Sequence, residues 1–230
     1  MAYRHLFFDL DHTLWDFETN ADETLTTLYE RHALARHGTF DLPAFKRVYS
    51  DVNQALWRMY QANKVTQQQL REARFVRTLA KLGVAAADVP PTLSAEFTDI
   101  LPEKSAVFPH THETLDYLRG KYTLHLITNG FEDVQHRKLA SSNLAQYFDQ
   151  VITSEHSGHL KPDPRMFAHA LQAAGARAPE SLMVGDNLEC DVLGAHNAGI
   201  DQVYFNPAKR RHFAQVTYEI SSLDELRAFL

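Results

Sequence analysis

The sequence has 230 residues, of which 44% are hydrophobic and 23% are charged. This composition is typical of a globular protein with one sizeable core, or with one core and a smaller appended domain. The formal net charge of −6 argues against a nucleic-acid backbone or an anionic membrane surface as partner. The single cysteine, Cys190, excludes an internal disulfide and favours the reducing cytoplasm. We expect no signal peptide and no membrane-spanning segment, because no apolar run reaches bilayer length.

The chain begins with a short apolar run and continues into a long helical block. Leu6-Phe7-Phe8 is typical of a strand that is buried on both faces. From Ala21 to about Ile100 the apolar residues recur with helical periodicity, which predicts four helices and no strand. We therefore predict a helical cap inserted after the first strand, with residues 1–14 and 105–230 forming the core and residues 15–104 forming the cap.

The second half of the chain alternates helical and strand patterns. Strands separated by helices of this length predict βαβ units and a parallel sheet. With the first strand, the pattern gives five strands in an α/β fold with a Rossmann-like core. The predicted helices are Thr111–Arg119, Glu132–Leu144, Pro164–Ala174, Leu188–Ala198 and Leu223–Phe229, and the further strands are Thr123–Thr128, Val151–Ser154, Ser181–Gly185 and Gln202–Phe205.

Two carboxylates, Asp9 and Asp11, follow the first strand with one residue between them. Positions i and i+2 of a strand point the same way, so these side chains are expected to converge. Like charges at close range shift each other's pKa unless a cation or a shared proton relieves them. A polar strand end with two solvated aspartates is the alternative, but it requires no partners elsewhere in the chain.

The other predicted strands supply such partners at the same edge of the sheet, because ligands of open α/β sheets bind beyond the carboxyl ends of the strands. They are Thr128 and Asn129 before Gly130, then Lys161, and finally Asp186 and Asp191. Helix N-termini and hydroxyl groups can donate hydrogen bonds to a phosphate, and a lysine would offset the negative charge of the carboxylates in the cleft.

Each of these residues also has a structural explanation. Thr128 to Gly130 could be a strand-to-helix turn, and Lys161 could be a solvated loop lysine. Asp186 could cap the following helix, and Asp191 could favour its dipole. Asp163, which stands before Pro164, is predicted to be a helix cap and is not a candidate for chemistry.

Four carboxylates at one sheet edge would need a hard cation. Oxygen ligands beside a phosphate group favour Mg²⁺ over Zn²⁺. The 13 histidines include close pairs, but no cysteine or helical HxxxH pattern accompanies them, which argues against a structural zinc site.

The second helix of the cap carries aromatic and polar residues at helical spacing. Most of its aromatic residues are predicted to form the core of the cap itself. Asn53, Trp57, Tyr60 and Gln61 could instead line a cleft, together with the segment from Trp15 to Phe17.

Taken together, these residues resemble the haloacid-dehalogenase-like phosphohydrolase superfamily. Within it, the chain is most similar to pyrimidine 5'-nucleotidases that act on noncanonical nucleoside monophosphates, through Ile127-Thr-Asn-Gly-Phe131 and the cap residues. One departure is His12, where glycine is common in relatives, and it should alter the turn after Asp11. The four motifs that carry the resemblance are Asp9-Leu-Asp11-His-Thr13, Thr128-Asn129, Lys161-Pro162 and Gly185-Asp186-x4-Asp191.

The resemblance implies a two-step mechanism. Asp9 would attack phosphorus to form an aspartyl phosphate, and Asp11 would act first as the acid and then as the base. Mg²⁺ would be held by Asp9, by Asp186 and by the backbone carbonyl of Asp11, with Asp191 as an outer residue. The resemblance also implies that Thr128, Asn129 and Lys161 bind the phosphoryl group. Trp15, Asn53, Trp57 and Tyr60 are separate candidates for substrate specificity.

Two alternatives remain open from the sequence. A sugar-phosphate phosphatase or phosphomutase of the same fold would use every one of these catalytic residues. A non-catalytic regulatory protein is disfavoured, because no catalytic position is lost. The expected partner is a small phosphorylated metabolite, with no nucleic-acid polymer and no membrane, and the expected state is a monomer or a small homo-oligomer in the cytoplasm.

Overall fold

The structure is a computed structural model that describes residues 3–230. It divides into two compact units. The first comprises the chain as far as Phe17 together with Lys104–Leu230, and the second is Glu18–Glu103. The divisions expected from the sequence lie within three residues of these. Residues 15–17 belong with the first unit because the Nε1–H of Trp15 donates to the carbonyl of Lys104 and the main chain of Asp16 pairs with Ala106.

A six-stranded sheet forms the centre of the first unit, and every neighbouring pair of strands is parallel. The strand order is β3-β2-β1-β4-β5-β6, so the chain leaves β1 in one direction and returns for β4 on its other side. The crevice beyond β1 and β4 is therefore the topological switch point, where such sheets bind ligands. The strands are β1 (His5–Phe8), β2 (Thr123–Thr128), β3 (Gln150–Thr153), β4 (Ser181–Gly185), β5 (Asp201–Phe205) and β6 (Tyr218–Ile220).

Helices cover the sheet and bury its apolar strands. Leu6, Phe7 and Phe8 of β1 are almost completely buried, as expected for a central parallel strand that is covered on both faces. Phe7 belongs to an apolar cluster with Met166 and Phe167 of α8, which fixes that helix against the sheet. The helices of this unit are α5 (Thr111–Arg119), α6 (Glu132–Ser141), α7 (Ser154–Ser157), α8 (Pro164–Ala173) and α9 (Gly194–Asn197).

The second unit consists of helices around an aromatic core. The rings of four residues stack, tilt or meet edge to face with centroids 5.3–6.4 Å apart, namely Phe45, Tyr49, Phe75 and Phe97. A capping box starts the third helix, because Thr66 and Gln69 satisfy each other's backbone N–H groups. The helices are α1 (Phe17–Arg31), which begins in the first unit, α2 (Leu42–Gln61), α3 (Gln67–Lys81) and α4 (Leu93–Ile100).

The α/β fold with a parallel sheet is confirmed, but several elements differ from the predictions. The sheet has six strands instead of five, because the three-residue β6 is too short to show a pattern. The helix predicted from Glu132 to Leu144 ends at Ser141. The helix predicted over Leu188–Ala198 is a π-helical segment, Leu188–Leu193, followed by α9, and the closing segment is the 3-10 helix Leu223–Ala228.

Candidate active site

Three carboxylates meet at the switch point of the sheet. Asp9 follows β1, Asp186 follows β4, and Asp191 lies in the π-helical segment. One carboxylate oxygen of each lies within 4.8 Å of the others. Because β1 and β4 are neighbours, residues that are about 180 positions apart in sequence come together at one edge.

Lys161 occupies the space beside this cluster. Its Nζ donates to Asp9 Oδ1 and to Asp191 Oδ1, both at 2.6 Å, and to the carbonyl of Ile127 at 2.8 Å. The side chain is 2% exposed, so it is a buried ammonium and not the solvated loop lysine of the alternative explanation. A buried charge of this kind needs paired partners, and the two aspartates supply them.

The electrostatics of the cluster follow from burial and like charge. Burial raises the pKa of Asp9 to about 7, with the Lys161 ammonium opposing that shift and the Asp191 carboxylate adding to it. Burial, reinforced by the charges of Asp191 and Asp9, also holds the pKa of Asp186 well above its ordinary range. For Lys161, burial would lower the pKa, but the charges of Asp191 and Asp9 outweigh burial and raise it. Three carboxyl groups therefore share one ammonium, and a second cation in the cluster would favour their charged forms.

This donor set fits a hard divalent cation. All three side chains offer carboxylate oxygens, which are the ligands that Mg²⁺ prefers. Asp191 is the most constrained of the three, because its oxygens already accept from Lys161 Nζ and from the backbone N–H of Asn187 at 3.0 Å. The second oxygen of Asp9 and one oxygen of Asp186 accept a long 3.4 Å hydrogen bond from the Thr13 hydroxyl.

Gly185 allows Asp191 to lie in this position. A Cβ at Gly185 would stand 2.4 Å from Cγ and Oδ2 of Asp191. The close approach, and not an unusual backbone angle, therefore requires glycine at the end of β4. Asp186 does not cap the following helix, which was the structural alternative to a functional role, because the side chain of its neighbour Asn187 accepts from the N–H groups of Glu189 and Cys190.

The turn after β2 connects the lysine to the other strand ends. The side chain of Asn129 accepts from the backbone N–H of Lys161 at 2.7 Å and donates to its carbonyl at 2.9 Å. Asn129 therefore fixes the main chain that carries Lys161. The hydroxyl of Thr128 accepts from the N–H of Gly130 at 3.0 Å and from Gln135 Nε2 at 2.7 Å.

Asp11 is bound by two residues that the sequence analysis did not identify. Lys138 Nζ donates to Asp11 Oδ1 at 2.6 Å, and Gln135 Nε2 donates to Asp11 Oδ2 at 3.0 Å. Burial alone would raise the pKa of Asp11, but the charge and hydrogen bond of Lys138 lower it overall. Gln135 and Lys138 lie on the same buried face of α6 as Leu139. Two polar residues on a face that is otherwise buried were the sequence signal that could have identified them.

Two further residues of the first motif shape its turn. The hydroxyl of Thr13 lies 3.4 Å from an oxygen of Asp9 and 3.4 Å from an oxygen of Asp186, and the side chain is fully buried. His12 adopts a φ of +65°, the left-handed region that favours glycine. Its ring lies against Phe17 with centroids 5.0 Å apart.

The residues predicted to contribute to specificity lie in both units. Trp15 is fully buried in the first unit, where its ring lies 4.4 Å from Lys138 Nζ. Asn53, Trp57 and Tyr60 lie on α2 in the second unit, where Asn53 is buried and the rings of Trp57 and Tyr60 meet edge to face at 5.6 Å. Contact of these four residues with a substrate stays a prediction.

The remaining candidates behave as structural residues. Burial raises the pKa of the Cys190 thiol to about 12, which keeps it protonated and unreactive. Asp163 caps α8 by accepting from the N–H of Arg165.

Within residues 3–230, no histidine belongs to a group of three potential metal-binding side chains. Among the helices of this part of the chain, none is long and apolar enough to cross a bilayer.

Comparison with known proteins shows which family this sequence matches. Residues 3–199 match the family model of the haloacid dehalogenase-like hydrolases. The chain is 36% identical to the pyrimidine 5'-nucleotidase PynA of Streptococcus pneumoniae, over 98% of this chain and 94% of that protein. It is 34% identical to the pyrimidine 5'-nucleotidase YjjG of Escherichia coli, over 100% and 99% of the two chains.

A solved structure is similar over the same length. The putative HAD-hydrolase YfnB of Bacillus subtilis, bound to magnesium, has a TM-score of 0.88 and 28% sequence identity. The similarity covers 99% of this chain and 98% of that one.

Proposed function

The chain belongs to the haloacid dehalogenase-like hydrolase family, and on that premise we propose that it hydrolyses nucleoside 5'-monophosphates through an aspartyl phosphate on Asp9. The observation that carries the proposal is the constellation of Asp9, Asp186, Asp191 and Lys161 at the switch point, with Asp11 beside it. The pyrimidine nucleotidase names of two relatives that span nearly the whole chain support the substrate class.

In the first step an oxygen of Asp9 attacks phosphorus. A bond forms between that oxygen and phosphorus while the bond from phosphorus to the ester oxygen breaks. The electron pair stays on the ester oxygen, which takes a proton from the carboxyl group of Asp11. Because Lys138 lowers the pKa of Asp11, that carboxyl group must bind the proton when the negatively charged phosphate enters beside it. The products are the nucleoside and phospho-Asp9.

In the second step a water molecule attacks the phosphorus of phospho-Asp9. Asp11, now a carboxylate, takes a proton from that water, and the bond between Asp9 and phosphorus breaks. Inorganic phosphate leaves, and both aspartates return to their starting states. The resemblance that assigned these two roles agrees with the separate environments of Asp9 and Asp11, one beside Lys161 and the other beside Lys138.

The phosphoryl group needs positive charge and hydrogen-bond donors. We assign these to Lys161, to the Thr128 hydroxyl and to the turn at Asn129, because catalysis of phosphoryl transfer is mostly positioning and charge stabilisation. Asn129 contributes in addition by holding the main chain of Lys161.

We propose Mg²⁺ as the cofactor, held by the carboxylates of Asp9 and Asp186 and by the backbone carbonyl of Asp11. Asp191 orients the site through its hydrogen bonds to Lys161 and Asn187. When bound, the ion neutralises charge on the transferring phosphoryl group. The magnesium in the related YfnB structure supports the choice of ion.

We further propose that Asn53, Trp57 and Tyr60 contribute to the choice of nucleoside, and that the reaction takes place in the cytoplasm, because a sequence with one cysteine forms no internal disulfide.

The test of the mechanism is an Asp9→Asn variant, with Asp163→Asn as the matched control. An amide cannot serve as this nucleophile, so Asp9→Asn should lose nearly all release of phosphate at saturating Mg²⁺. Asp163→Asn makes the same chemical change at a helix cap, where asparagine is equally suitable, and should keep wild-type activity. Wild-type turnover by Asp9→Asn would refute the mechanism.

The test of the substrate class is a panel of nucleoside monophosphates and sugar phosphates, assayed by the release of inorganic phosphate. A preference for pyrimidine nucleoside monophosphates is expected. A flat profile, or a preference for sugar phosphates, would contradict the nucleotidase assignment and favour the sugar-phosphate alternative. A requirement for a bisphosphate activator would indicate a phosphomutase.

A further inference from the structure

Two side chains of α6 hold the carboxyl group of Asp11 from one helix face. Gln135 and Lys138 are three residues apart, so they project from the same side of the helix. Their donors contact different oxygens of Asp11, Lys138 Nζ at 2.6 Å and Gln135 Nε2 at 3.0 Å. Gln135 is fully buried and Lys138 is 3% exposed, so both donors are shielded from water, whereas the Asp11 side chain that accepts from them is 24% exposed. We call these two residues the α6 clamp.

Gln135 also joins Asp11 to the turn after β2. Its Nε2 donates to the hydroxyl of Thr128 at 2.7 Å, so a single amide nitrogen contacts both Thr128 and Asp11. Gly130 provides the space for this contact, since a Cβ there would stand 2.2 Å from Gln135 Nε2. The amide therefore connects the group assigned to proton transfer with a group assigned to phosphoryl binding.

The ammonium of Lys138 is held in place by more than Asp11. It lies 4.4 Å from the ring centroid of Trp15 and 5.7 Å from that of Phe17, which are distances at which an aromatic face attracts a cation. Trp15 is itself fixed by the hydrogen bond from its Nε1 to the carbonyl of Lys104. Lys138 is thus a preorganised donor that fixes the orientation of the Asp11 carboxyl group.

A purely structural explanation would reverse this relation. A buried ammonium needs a counter-ion, and on this explanation Asp11 neutralises the charge of Lys138, while Lys138 does not orient Asp11 for proton transfer. The two explanations differ in what the loss of Lys138 does to the two chemical steps. A structural lysine would affect every substrate equally, whereas a residue that positions Asp11 would affect a substrate according to its need for a proton.

We propose that Lys138 and Gln135 are positioning residues that hold the Asp11 carboxyl group for proton transfer, with Gln135 aligning it to the phosphoryl site through Thr128. The inference rests on the proposed function. In the first step the ester oxygen of a nucleoside monophosphate takes the proton of Asp11 as its bond to phosphorus breaks, because an alkoxide is a strong base. A 4-nitrophenolate is a weak base and leaves without that proton. The second step, in which Asp11 takes a proton from water, is the same for both substrates.

The test uses Lys138→Met, Lys138→Arg and Gln135→Met, with Lys121→Met as the matched control. Lys121 is an exposed lysine of the same unit, so its variant removes the same charge away from the site. Rapid-mixing experiments at saturating Mg²⁺ would follow uridine 5'-monophosphate and 4-nitrophenyl phosphate in parallel. Circular dichroism and the midpoint of thermal unfolding would report whether each variant is folded.

We expect Lys138→Met to slow the first turnover of uridine 5'-monophosphate about 100-fold or more, the usual contribution of a positioned acid. The first turnover of 4-nitrophenyl phosphate should fall much less, and a burst of nitrophenol should precede a slow steady state because phospho-Asp9 accumulates. Gln135→Met should show the same pattern more weakly. Lys138→Arg should recover part of the lost rate, because a guanidinium can bind a carboxylate and stack on Trp15.

Equal losses for the two substrates in a folded Lys138→Met variant, or no loss in either, would overturn the inference. If Lys138→Met does not fold, the same comparison in Gln135→Met and Lys138→Arg decides the question. Failure of the proposed function looks different, because the wild-type protein itself would then release no phosphate from uridine 5'-monophosphate.

Discussion

A buried histidine in the central sheet makes the stability of this protein sensitive to acid. His125 lies on β2 with no exposed side-chain area, and its ring stacks on Phe7 of β1 at 4.8 Å. Its Nε2 lies 3.1 Å from Nδ1 of His5, and its Nδ1 lies 3.9 Å from Asp149. Burial and the neighbouring His5 lower the pKa of His125 to about 4, which Asp149 opposes only weakly.

The sign and size of the effect follow from proton linkage. Between about pH 6.5 and pH 4 the unfolded chain binds a proton at this histidine that the folded protein does not bind. The stabilisation is therefore complete above about pH 6.5 and is lost as the pH falls toward 4. With a pKa of 6.5 when unfolded and about 4 when folded, the free energy of unfolding should fall by about 2 kcal/mol from this group between about pH 7.5 and pH 5.

Urea unfolding, followed by circular dichroism, measures this loss in the wild-type protein and in His125→Leu. The variant can differ from the wild type in absolute stability, so the quantity to compare is the change in the free energy of unfolding from about pH 7.5 to pH 5. Over that range the free energy of unfolding of the variant should fall by about 2 kcal/mol less than that of the wild type. His136→Leu removes a histidine whose side chain is 55% exposed and should retain the wild-type dependence. Equal pH dependence in wild type and His125→Leu would refute the reasoning.

Two further predictions concern the candidate site. Gly130→Ala should fold, because Gly130 does not have a positive φ and the three atoms nearest to the added Cβ all belong to the side chain of Gln135. Displacing Gln135 removes hydrogen bonds worth about 1.5–3 kcal/mol where one partner is charged, so kcat should fall about 10- to 100-fold in a phosphate-release assay. Gly120→Ala meets nothing closer than 3.6 Å and should leave kcat unchanged, and an unchanged kcat in Gly130→Ala would contradict the role of that glycine. Mg²⁺ should raise the midpoint of thermal unfolding of the wild-type protein, by the equivalent of about 2.7 kcal/mol at a concentration 100-fold above its Kd, and Asp186→Asn should lose most of this shift. An equal shift in both proteins would count against Asp186 as a ligand.

The family and the α/β fold that the sequence predicted are confirmed, because short sequence motifs and local hydrophobic patterns indicate both. Apolar runs of strand length that alternate with helical patterns leave few arrangements besides a parallel sheet. The predicted bounds of Thr123–Thr128 and Ser181–Gly185 agree with β2 and β4 to the residue, because turn residues follow each strand. The three-residue β6 was missed because a strand of that length has no pattern of its own.

The helix boundaries after β4 show where local patterns are insufficient. The stretch from Leu188 reads as a continuous helix, yet the structure starts it as a π-helical segment. That segment places Asp191 against Lys161, and Gly185 leaves room for the carboxylate. The wider turn is decided by contacts from other elements, which helical periodicity does not contain.

The sequence by itself determined which residues stand at the ends of the strands. A parallel sheet brings the carboxyl ends of its strands to one edge, so Asp9, Thr128 and Asp186 could be grouped before any coordinates existed. Only the tertiary structure decided how their partners are divided. Lys161 joins Asp9, while Lys138 and Gln135 join Asp11 from 127 and 124 residues away. Periodicity shows that this face of α6 is buried, but the packing of the helix on the sheet determines which carboxylate it meets.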